Sequence, residues 1–270
     1  MCEKLLYRQE RAPAVVLAVL RARGWEEYQA DRDSLDMWSL LWTTGRPKPS
    51  DYAKGRDYQR INHFPKTSLL CTKDNLARGL KRMKGIYGKV YNFSPVTFIL
   101  PNDYAKFLYA YLHTPGTSWI CKPADLSRGR KIFVFKDIKA LTYDTSVIVQ
   151  RYLSNPLLIG EYKWDLRIYV LVTSYHPLTI YLYGEGLARF STEKFDMTDL
   201  SNKFAHLTNT SINKLNPGFD PSKDIVGYKW PLAQLRAYLT TTGADVEKLW
   251  REIKRIVVLT LLVIVQEVPQ

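Results

Sequence analysis

The spacing of apolar residues predicts helices and connections in the first third of the chain. Residues 12–45 begin with a helical pattern and then lose their periodicity, although three tryptophans in this stretch supply large apolar surfaces. The stretch 45–57 is rich in turn residues and predicts a connection. After it, Thr72 precedes apolar residues at helical spacing, which predicts a helix that ends near Met83.

From residue 96 onward, short apolar runs predict a series of strands. These runs lie at 96–100, 118–122, 131–135 and 147–153. A helix is expected to begin at Asn102, between the first two runs. Two further runs, 165–174 and 178–186, flank the sequence YHP and predict a hairpin, and an amphipathic helix is expected over about 246–265. Strands interspersed with helices, antiparallel pairs included, indicate an α+β (mixed α/β) fold.

Two apolar runs are too short to be membrane segments. Ala14–Leu20 has seven residues and lacks a small-residue cleavage site, and Ile256–Val265 has ten residues. A helix that spans a bilayer needs about 20 apolar residues. Both runs therefore predict buried pieces of helix, and the protein is expected to be soluble, with no membrane partner.

Composition narrows the class of partner rather than the fold. The formal net charge of +13 and the apolar content of 46% describe an ordered basic protein, suited to a phosphate-bearing ligand, a nucleic acid or an acidic protein surface. The cysteines Cys2, Cys71 and Cys121 are far apart, which indicates a reducing compartment and argues against a disulfide framework or a zinc site. The histidines lack metal-ligand spacing, and no nucleic-acid-binding motif accompanies the charge.

The predicted helix after Thr72 carries charges of mostly one sign. Its cations are Lys73, Arg78, Lys81, Arg82 and Lys84. Asp74 is the one acidic residue among them, so the imbalance favours an acidic partner. A solvated helix face is the alternative, and the sequence leaves both interpretations open.

A basic loop joins two apolar runs in SWICKPADLSRGRKIFVF, residues 118–135. Lys122 stands where the strand meets the loop, a position from which an ammonium group can reach a ligand without burial. Arg128, Gly129 and Arg130 follow in a flexible segment rich in hydrogen-bond donors. Backbone N–H groups at a glycine turn and guanidinium groups suit phosphate oxygens. An ordinary turn is the alternative.

A second polar cluster begins at the strand end Gln150–Leu153, whose backbone N–H and C=O groups can meet a planar base. Lys163 and Asp165 alternate, so both side chains point to one face of an extended segment, which Arg167 continues. Trp164 points the other way, into packing. The alternative is a surface salt bridge between Lys163 and Asp165, worth about 0–1 kcal/mol.

A third cluster gathers short polar side chains beside the predicted hairpin. Its members are Glu185, Arg189, His206, Thr208, Asn209, Ser211, Asn213 and Lys214. Such density suggests oriented hydrogen bonding rather than a solvated loop. Turn chemistry is the alternative, because Asn, Ser and Thr are common in turns.

The three clusters together resemble the tubulin tyrosine ligase-like family, specifically its glutamylase branch. The stretches that carry the resemblance are INHFPKTSLLCTKDNLARGLKRMK, VTFILPNDY, WICKPADLSRGR, VQRYLSNPLLIGEYKWDLRIYVLVTS, PLTIYLYGEGLARFSTEKF and AHLTNTSINK, and the match covers about residues 12–268. The resemblance implies one domain with an ATP-grasp fold. Its N-terminal and central lobe would occupy residues 1–117, and its C-terminal ATP-grasp lobe, incomplete here, residues 118–270.

The family resemblance also implies an activity, ATP-dependent ligation of glutamate onto a glutamate side chain in a tubulin tail through an acyl phosphate. By resemblance, the phosphates are held by Lys122, Arg128 and Gly129, the hinge at adenine is formed by Gln150, Arg151, Tyr152 and Leu153, and the nucleotide is also contacted by Lys163, Trp164, Asp165, Thr208 and Asn209. The resemblance assigns the binding of the incoming glutamate to Arg189, Ser211 and Lys229. The catalytic candidates are Arg128 and Arg167. Cationic side chains suit this chemistry, because phosphates and carboxylates gather in one pocket.

The expected partners follow from the same resemblance. They are ATP with Mg²⁺, free glutamate and the acidic tails of tubulin or microtubules, without nucleic acid. The protein is expected to be a cytoplasmic monomer on the cytoskeleton, with a cilium or flagellar axoneme as a further location.

Three departures from the family pattern bear on the expected activity. Lys131 replaces a glycine of the loop, and RYL stands where the family has Lys-Tyr-Ile. Family members continue into strands whose Asp and Glu-x-Asn side chains bind magnesium, and this sequence contains no match to them, since Glu267 lies too early. A weak or inactive ligase is therefore expected, and a catalytically inactive form that binds ATP or tubulin is the alternative to an active polyglutamylase.

Overall fold

The computed structural model describes residues 5–33, 36–223 and 227–269. These residues form two compact units divided after Thr67, and Cys2 lies outside the described residues. Both units combine helices with strands, so the predicted mixed α/β fold is confirmed. No helix in the described ranges has the length and apolar character needed to cross a bilayer. The division into lobes at residue 117 stays a prediction.

The first unit contains a small parallel sheet. Its elements are β1 (Leu6–Glu10), α1 (Ala14–Ala22), β2 (Glu26–Glu27), β3 (Leu40–Thr43), α2 (Pro49–Ala53) and β4 (Arg60–Ile61). The strands lie in the order β2-β1-β3-β4, with β1 parallel to both of its neighbours. The predicted burial of Ala14–Leu20 is wrong for most of the run, because Leu20 is buried while Val15 is 69% exposed.

The second unit begins with helices and an antiparallel sheet. These elements are α3 (Ser68–Cys71), α4 (Lys73–Tyr87), β5 (Thr97–Leu100), α5 (Tyr104–His113), β6 (Trp119–Pro123), β7 (Phe133–Phe135) and β8 (Val147–Arg151). The strands lie in the order β5-β8-β6-β7, and Phe107 of α5 packs edge-on against Trp119 in the buried aromatic cluster on this sheet. The predicted strands and both predicted helices of this region are confirmed.

A second antiparallel sheet completes the unit. Its elements are β9 (Leu158–Ile159), β10 (Tyr162–Tyr175), β11 (Leu178–Lys194), α6 (Lys203–His206), α7 (Thr210–Asn213), β12 (Lys229–Pro231), α8 (Leu232–Thr241) and α9 (Val246–Leu262). The strands lie in the order β12-β11-β10-β9, and the antiparallel pairing of β10 with β11 confirms the predicted hairpin. Helix α9 confirms the predicted amphipathic helix. Leu235 of α8 and Trp250 of α9 pack in a buried cluster with Trp164 and Ala188 of the hairpin.

The basic face of α4 is engaged locally. Arg78 Nη1 donates to Asp74 Oδ2 at 2.7 Å, and Lys84 Nζ donates to Asn92 Oδ1 at 2.7 Å. Arg82 Nη2 donates at 2.7 Å to the backbone oxygen of the residue that follows α9. These contacts tie α4 to its surroundings, which favours the interpretation of a solvated, structural face over a surface for an acidic partner.

Candidate functional site

A chain of polar side chains crosses three strands of the first antiparallel sheet. Lys122 Nζ on β6 donates to Gln150 Oε1 on β8 at 2.8 Å, and Gln150 Nε2 donates to Thr97 Oγ1 on β5 at 2.8 Å. Thr97 lies directly opposite Gln150 in the strand register, so their side chains share a face. Lys122 is half-buried, and the expectation that it projects without burial is wrong, because its ammonium group lies against this polar row.

Lys163 is held by two oxygen atoms from different parts of the second unit. Its Nζ donates to the hydroxyl of Tyr152 and to the backbone oxygen of His206, each at 2.9 Å. The same ammonium group lies 4.6 Å from the centre of the Tyr152 ring. The sequence placed His206 in the third polar cluster without a role, because it lies 43 residues from Lys163 and no local pattern reports the contact.

Both lysines have a depressed pKa. Burial lowers the pKa of Lys163 to about 8, and the positive charge of Lys122 contributes to this shift. Burial also lowers the pKa of Lys122, with a smaller contribution from the charge of Lys73. Partly buried ammonium groups that repel each other favour a ligand that brings several negative charges. This donor set fits the phosphates of a nucleotide.

Three residues form a row across the second sheet. Asp165 on β10 lies opposite Arg189 on β11, which lies opposite Lys229 on β12. Arg189 Nε and Nη2 donate to Asp165 Oδ1 and Oδ2 at 2.8 and 2.7 Å, and Thr208 Oγ1 donates to Oδ2 at 2.8 Å. The hydrogen bonds to Asp165 raise the pKa of Arg189. The alternative of a salt bridge from Lys163 to Asp165 is wrong, because Arg189 and Thr208 hold this carboxylate.

The glycine loop after β6 has a left-handed backbone at three residues. The φ angles are 62° at Arg128, 78° at Gly129 and 54° at Lys131. A Cβ added at Gly129 would lie 2.7 Å from Ile212 Cγ1, so this position requires glycine. Ser211 Oγ donates to the backbone oxygen of Arg128 at 2.7 Å, which ties the loop to α7. Lys131 adopts a conformation that disfavours residues with a Cβ, which agrees with the glycine of the family pattern.

Two lysines hold this loop at its ends. Lys73 at the start of α4 donates to the backbone oxygen of Pro123 at 2.9 Å and to that of Leu126. Lys131 Nζ lies 3.0 Å from Asp144 Oδ2 in an exposed ion pair. The sequence assigned Lys73 to a charged helix face, whereas the structure uses it to fix the exit of β6.

The predicted hinge Gln150–Leu153 is only partly free to meet a base. The backbone N–H groups of Arg151 and Tyr152 each donate to a backbone oxygen of a neighbouring segment at 2.9 Å. The expectation that these two N–H groups reach a base is therefore wrong. Leu153 is exposed and lines a cavity of about 910 Å³ together with Arg151 and Tyr152. The role of the segment as a hinge stays a prediction.

The remaining predicted residues occupy different surroundings. Trp164 packs under the second sheet, as its alternation with Lys163 predicts, so its side chain offers no support for a nucleotide contact. Arg167 is exposed on β10. Asn209 precedes α7, and a Cβ added at Gly129 would lie 3.0 Å from its Oδ1, so the amide borders the glycine loop.

The described ranges do not place the ligands of a metal ion together. Magnesium prefers carboxylate and other oxygen ligands. Within these ranges, no group of three His, Cys, Asp or Glu side chains is placed to hold a metal, and Arg189 and Thr208 engage both oxygens of Asp165. The described residues therefore do not fit a magnesium site.

Comparison with known proteins gives related sequences along the whole chain. A family model described as the tubulin-tyrosine ligase family matches residues 51–270. The human protein named probable tubulin polyglutamylase TTLL2 is 46% identical, over 100% of this chain and 47% of the human protein. Its mouse counterpart of the same name is 44% identical, over 98% and 51%. Human tubulin polyglutamylase TTLL5 is 37% identical, over 92% and 20%. The chain thus spans about half, or less, of the length of these relatives.

Proposed function

The chain belongs to the tubulin-tyrosine ligase family, and from this premise we propose that it is a tubulin polyglutamylase with an ATP-grasp-like fold. The reaction would join free glutamate to the γ-carboxylate of a glutamate in an acidic tubulin tail. The observation that carries the proposal is the pair of lysines, Lys122 and Lys163, beside the Asp165–Arg189 ion pair. We propose that these groups together bind phosphates and carboxylates.

The two lysines are proposed to hold the phosphates of ATP. When bound, ATP supplies the phosphoryl group that activates the acceptor carboxylate. Lys122 presents its ammonium group from the end of β6, and Lys163 presents its own from β10. The glycine loop, with Arg128 and Gly129, is proposed to supply further donors, the guanidinium group of Arg128 and backbone N–H groups at its left-handed turn. Thr208 and Asn209 are proposed to reach the nucleotide from the segment before α7.

The row across the second sheet is proposed to bind the incoming glutamate. Arg189 donates two hydrogen bonds to the carboxylate of Asp165, the geometry that a guanidinium group uses for a substrate carboxylate. Lys229 lies beside it on β12, and Ser211 lies at the base of the glycine loop. Arg167 is exposed on β10, and we place the acceptor carboxylate near Arg128 and Arg167.

The proposed partners and location follow from the same assignment. The relatives that cover nearly the whole chain are named for tubulin, which supports tubulin tails as the substrate of this chain. The formal net charge of +13 suits such acidic tails. We place the protein in the cytoplasm, on the cytoskeleton and in cilia or axonemes, as a monomer that uses ATP. The use of Mg²⁺ is proposed from the family resemblance alone, because the described residues do not bring together a group of side chains to hold it.

The proposal is tested by glutamate incorporation. The purified protein receives ATP, Mg²⁺, labelled glutamate and microtubules, and label in tubulin is measured. We expect incorporation that is lost in Lys122→Ala and kept in Lys139→Ala, an exposed lysine away from these clusters. Microtubule binding without incorporation would overturn the ligase assignment in favour of an inactive binding form. Loss of binding after removal of the acidic tails would support tubulin as the partner, and stronger competition by RNA would contradict it.

A further inference from the structure

A buried histidine lies behind the proposed phosphate site. His206 is 1% exposed, and its ring stands edge-on to the rings of Tyr152 and Phe195. Its Nδ1 lies 3.0 Å from the Tyr152 hydroxyl, and its Nε2 lies 3.0 Å from the backbone oxygen of Asp199. Both ring nitrogens are thus engaged within the protein, so the histidine does not depend on a ligand for its hydrogen bonds.

The backbone oxygen of Asp199 sets the direction of every hydrogen bond in the series that runs from Asp199 through His206 and Tyr152 to Lys163. The backbone oxygen of Asp199 is an acceptor and cannot donate, so Nε2 of His206 must carry the proton. In the neutral ring, Nδ1 is then an acceptor, and the Tyr152 hydroxyl donates to it. The Tyr152 oxygen is left as the acceptor for Lys163 Nζ.

His206 also contacts Lys163 directly through its backbone. Its carbonyl oxygen accepts a second hydrogen bond from Lys163 Nζ at 2.9 Å. An ammonium group has three N–H donors, so these two contacts leave one donor for a ligand. His206 thus acts on both hydrogen bonds of the Lys163 ammonium group. Its ring acts on the bond to Tyr152, and its own backbone oxygen accepts the other.

The surroundings of the ring favour its neutral form. Burial lowers the pKa of His206, and the positive charge of Lys163 acts in the same direction. The backbone hydrogen bond to Asp199 and the charges of Asp196 and Asp199 oppose this shift. Protonation would turn Nδ1 into a donor, and the Tyr152 hydroxyl would then lose its acceptor.

We propose that His206 is a positioning residue, which holds Tyr152 as a hydrogen-bond donor and thereby orients the Lys163 ammonium group toward the phosphates. The proposal rests on the proposed function for the identity of the ligand. The hydrogen-bond chain itself is a property of the protein without any ligand. The two parts are therefore tested by separate measurements.

The first measurement reads the tautomer of His206. Long-range ¹H–¹⁵N correlation spectra of the ¹⁵N-labelled protein distinguish a protonated Nε2 from a protonated Nδ1, and His206→Asn assigns the signal by its absence. We expect the Nε2-protonated neutral tautomer at pH 7. A proton on Nδ1 would overturn the proposed direction of the chain.

The second measurement uses a non-hydrolysable ATP analogue and calorimetry. Tyr152→Phe and His206→Ala are each expected to weaken binding about tenfold, because the first removes an acceptor of the ammonium group and the second removes the hydrogen bond that orients this acceptor. His206→Asn, which retains an acceptor near the place of Nδ1, is expected to recover part of this loss. Matched controls are Tyr91→Phe, a buried tyrosine bonded to a backbone oxygen of α9, and His113→Asn at the end of α5.

The pH profile separates positioning from a general loss of structure. Removal of the Tyr152 hydroxyl takes an acceptor from the charged form of Lys163, so the pH at which analogue binding is lost should move downward in Tyr152→Phe. The controls should keep the wild-type profile. If Tyr152→Phe and His206→Ala bind the analogue as tightly as the wild type does, the positioning role is overturned and the proposed function is not. A wild-type protein that binds no nucleotide would overturn the proposed function.

Discussion

The second unit contains two groups of cations with contrasting environments. On α4, Arg78 is half exposed and pairs with Asp74 one turn away. In the site, Lys122 and Lys163 are half-buried and donate to uncharged oxygen atoms. Net charge counts both groups alike, but Arg78 donates to a carboxylate, whereas the two lysines donate to neutral oxygen atoms. The charge of Asp165 also acts on Lys163 and opposes the fall of its pKa. Burial and the type of partner, rather than the number of cations, therefore distinguish the proposed anion site from α4.

The largest effect is expected at Lys163. Lys163→Met should weaken binding of the ATP analogue by about 10- to 100-fold, because a charge-assisted hydrogen bond to a phosphate contributes about 1.5–3 kcal/mol. Calorimetry measures the effect, with Lys139→Met as the matched control. An affinity within about twofold of the wild type would remove Lys163 from the phosphate site.

Two glycines, one in the glycine loop and one on α4, are expected to respond oppositely to alanine. Gly129→Ala should lower the free energy of unfolding by about 1–3 kcal/mol, since its left-handed φ disfavours a Cβ. The added Cβ would also meet Ile212. Gly85→Ala on α4 should raise it by about 0.5–1 kcal/mol, because helical alanine loses less entropy and its Cβ would meet open space. Urea denaturation measures both, and equal effects would contradict the assignment of strain to the glycine loop.

The depressed pKa of Lys163 predicts how nucleotide affinity depends on pH. The free protein loses the Lys163 charge as pH rises through about 8, so affinity for the analogue should fall above that pH by up to about tenfold per pH unit. Calorimetry between pH 6.5 and 9.5 measures the slope. A flat profile would show that this ammonium group does not meet the phosphates.

Lys163 affects stability in the opposite direction, because its contribution to the free energy of unfolding rises with pH whereas the affinity for the analogue falls. Its pKa is about 8 when folded and 10.5 ordinarily, so between these values the unfolded chain binds more protons than the folded chain. The contribution of Lys163 to the free energy of unfolding should therefore rise as pH increases from about 8 to about 10.5. The difference between the wild type and Lys163→Met in urea denaturation, taken at each pH, isolates this contribution.

The smallest effect is expected on α4. Arg78→Ala should lower the free energy of unfolding by about 0.3–0.5 kcal/mol, the usual value of an exposed pair one helical turn apart. The loss should shrink in 1 M salt, where such pairs are screened. Analogue affinity should stay unchanged. A marked loss of affinity would mean that α4 belongs to the anion site after all.

The first unit shows where prediction from sequence failed. Its strands β2 and β4 have two residues each, and β3 has four. Alternation is not measurable over so few positions, and a parallel pair joins strands that are distant in sequence. The residue pattern over 12–45 therefore predicts irregular structure after an initial helix, although Leu40–Thr43 pairs with β1 throughout its length.

The hairpin of β10 and β11 shows where prediction succeeded. Two long apolar runs separated by a short turn specify neighbouring antiparallel strands, and the strict alternation of side chains assigns Trp164 to the core and Lys163 and Asp165 to the other face. These features depend on residues next to one another in sequence. They can therefore be predicted from the sequence without knowledge of the fold.

By itself, the sequence determined the mixed fold and the principal strands and helices of the second unit, and it supplied the residue types of the proposed anion site. Only the tertiary structure decided which groups meet. Strand register pairs Asp165 with Arg189 rather than with Lys163, and packing brings His206 under Tyr152. The physical reason is that local propensity and periodicity act over a few residues. A hydrogen bond between groups 24 or 54 residues apart depends on how whole elements pack.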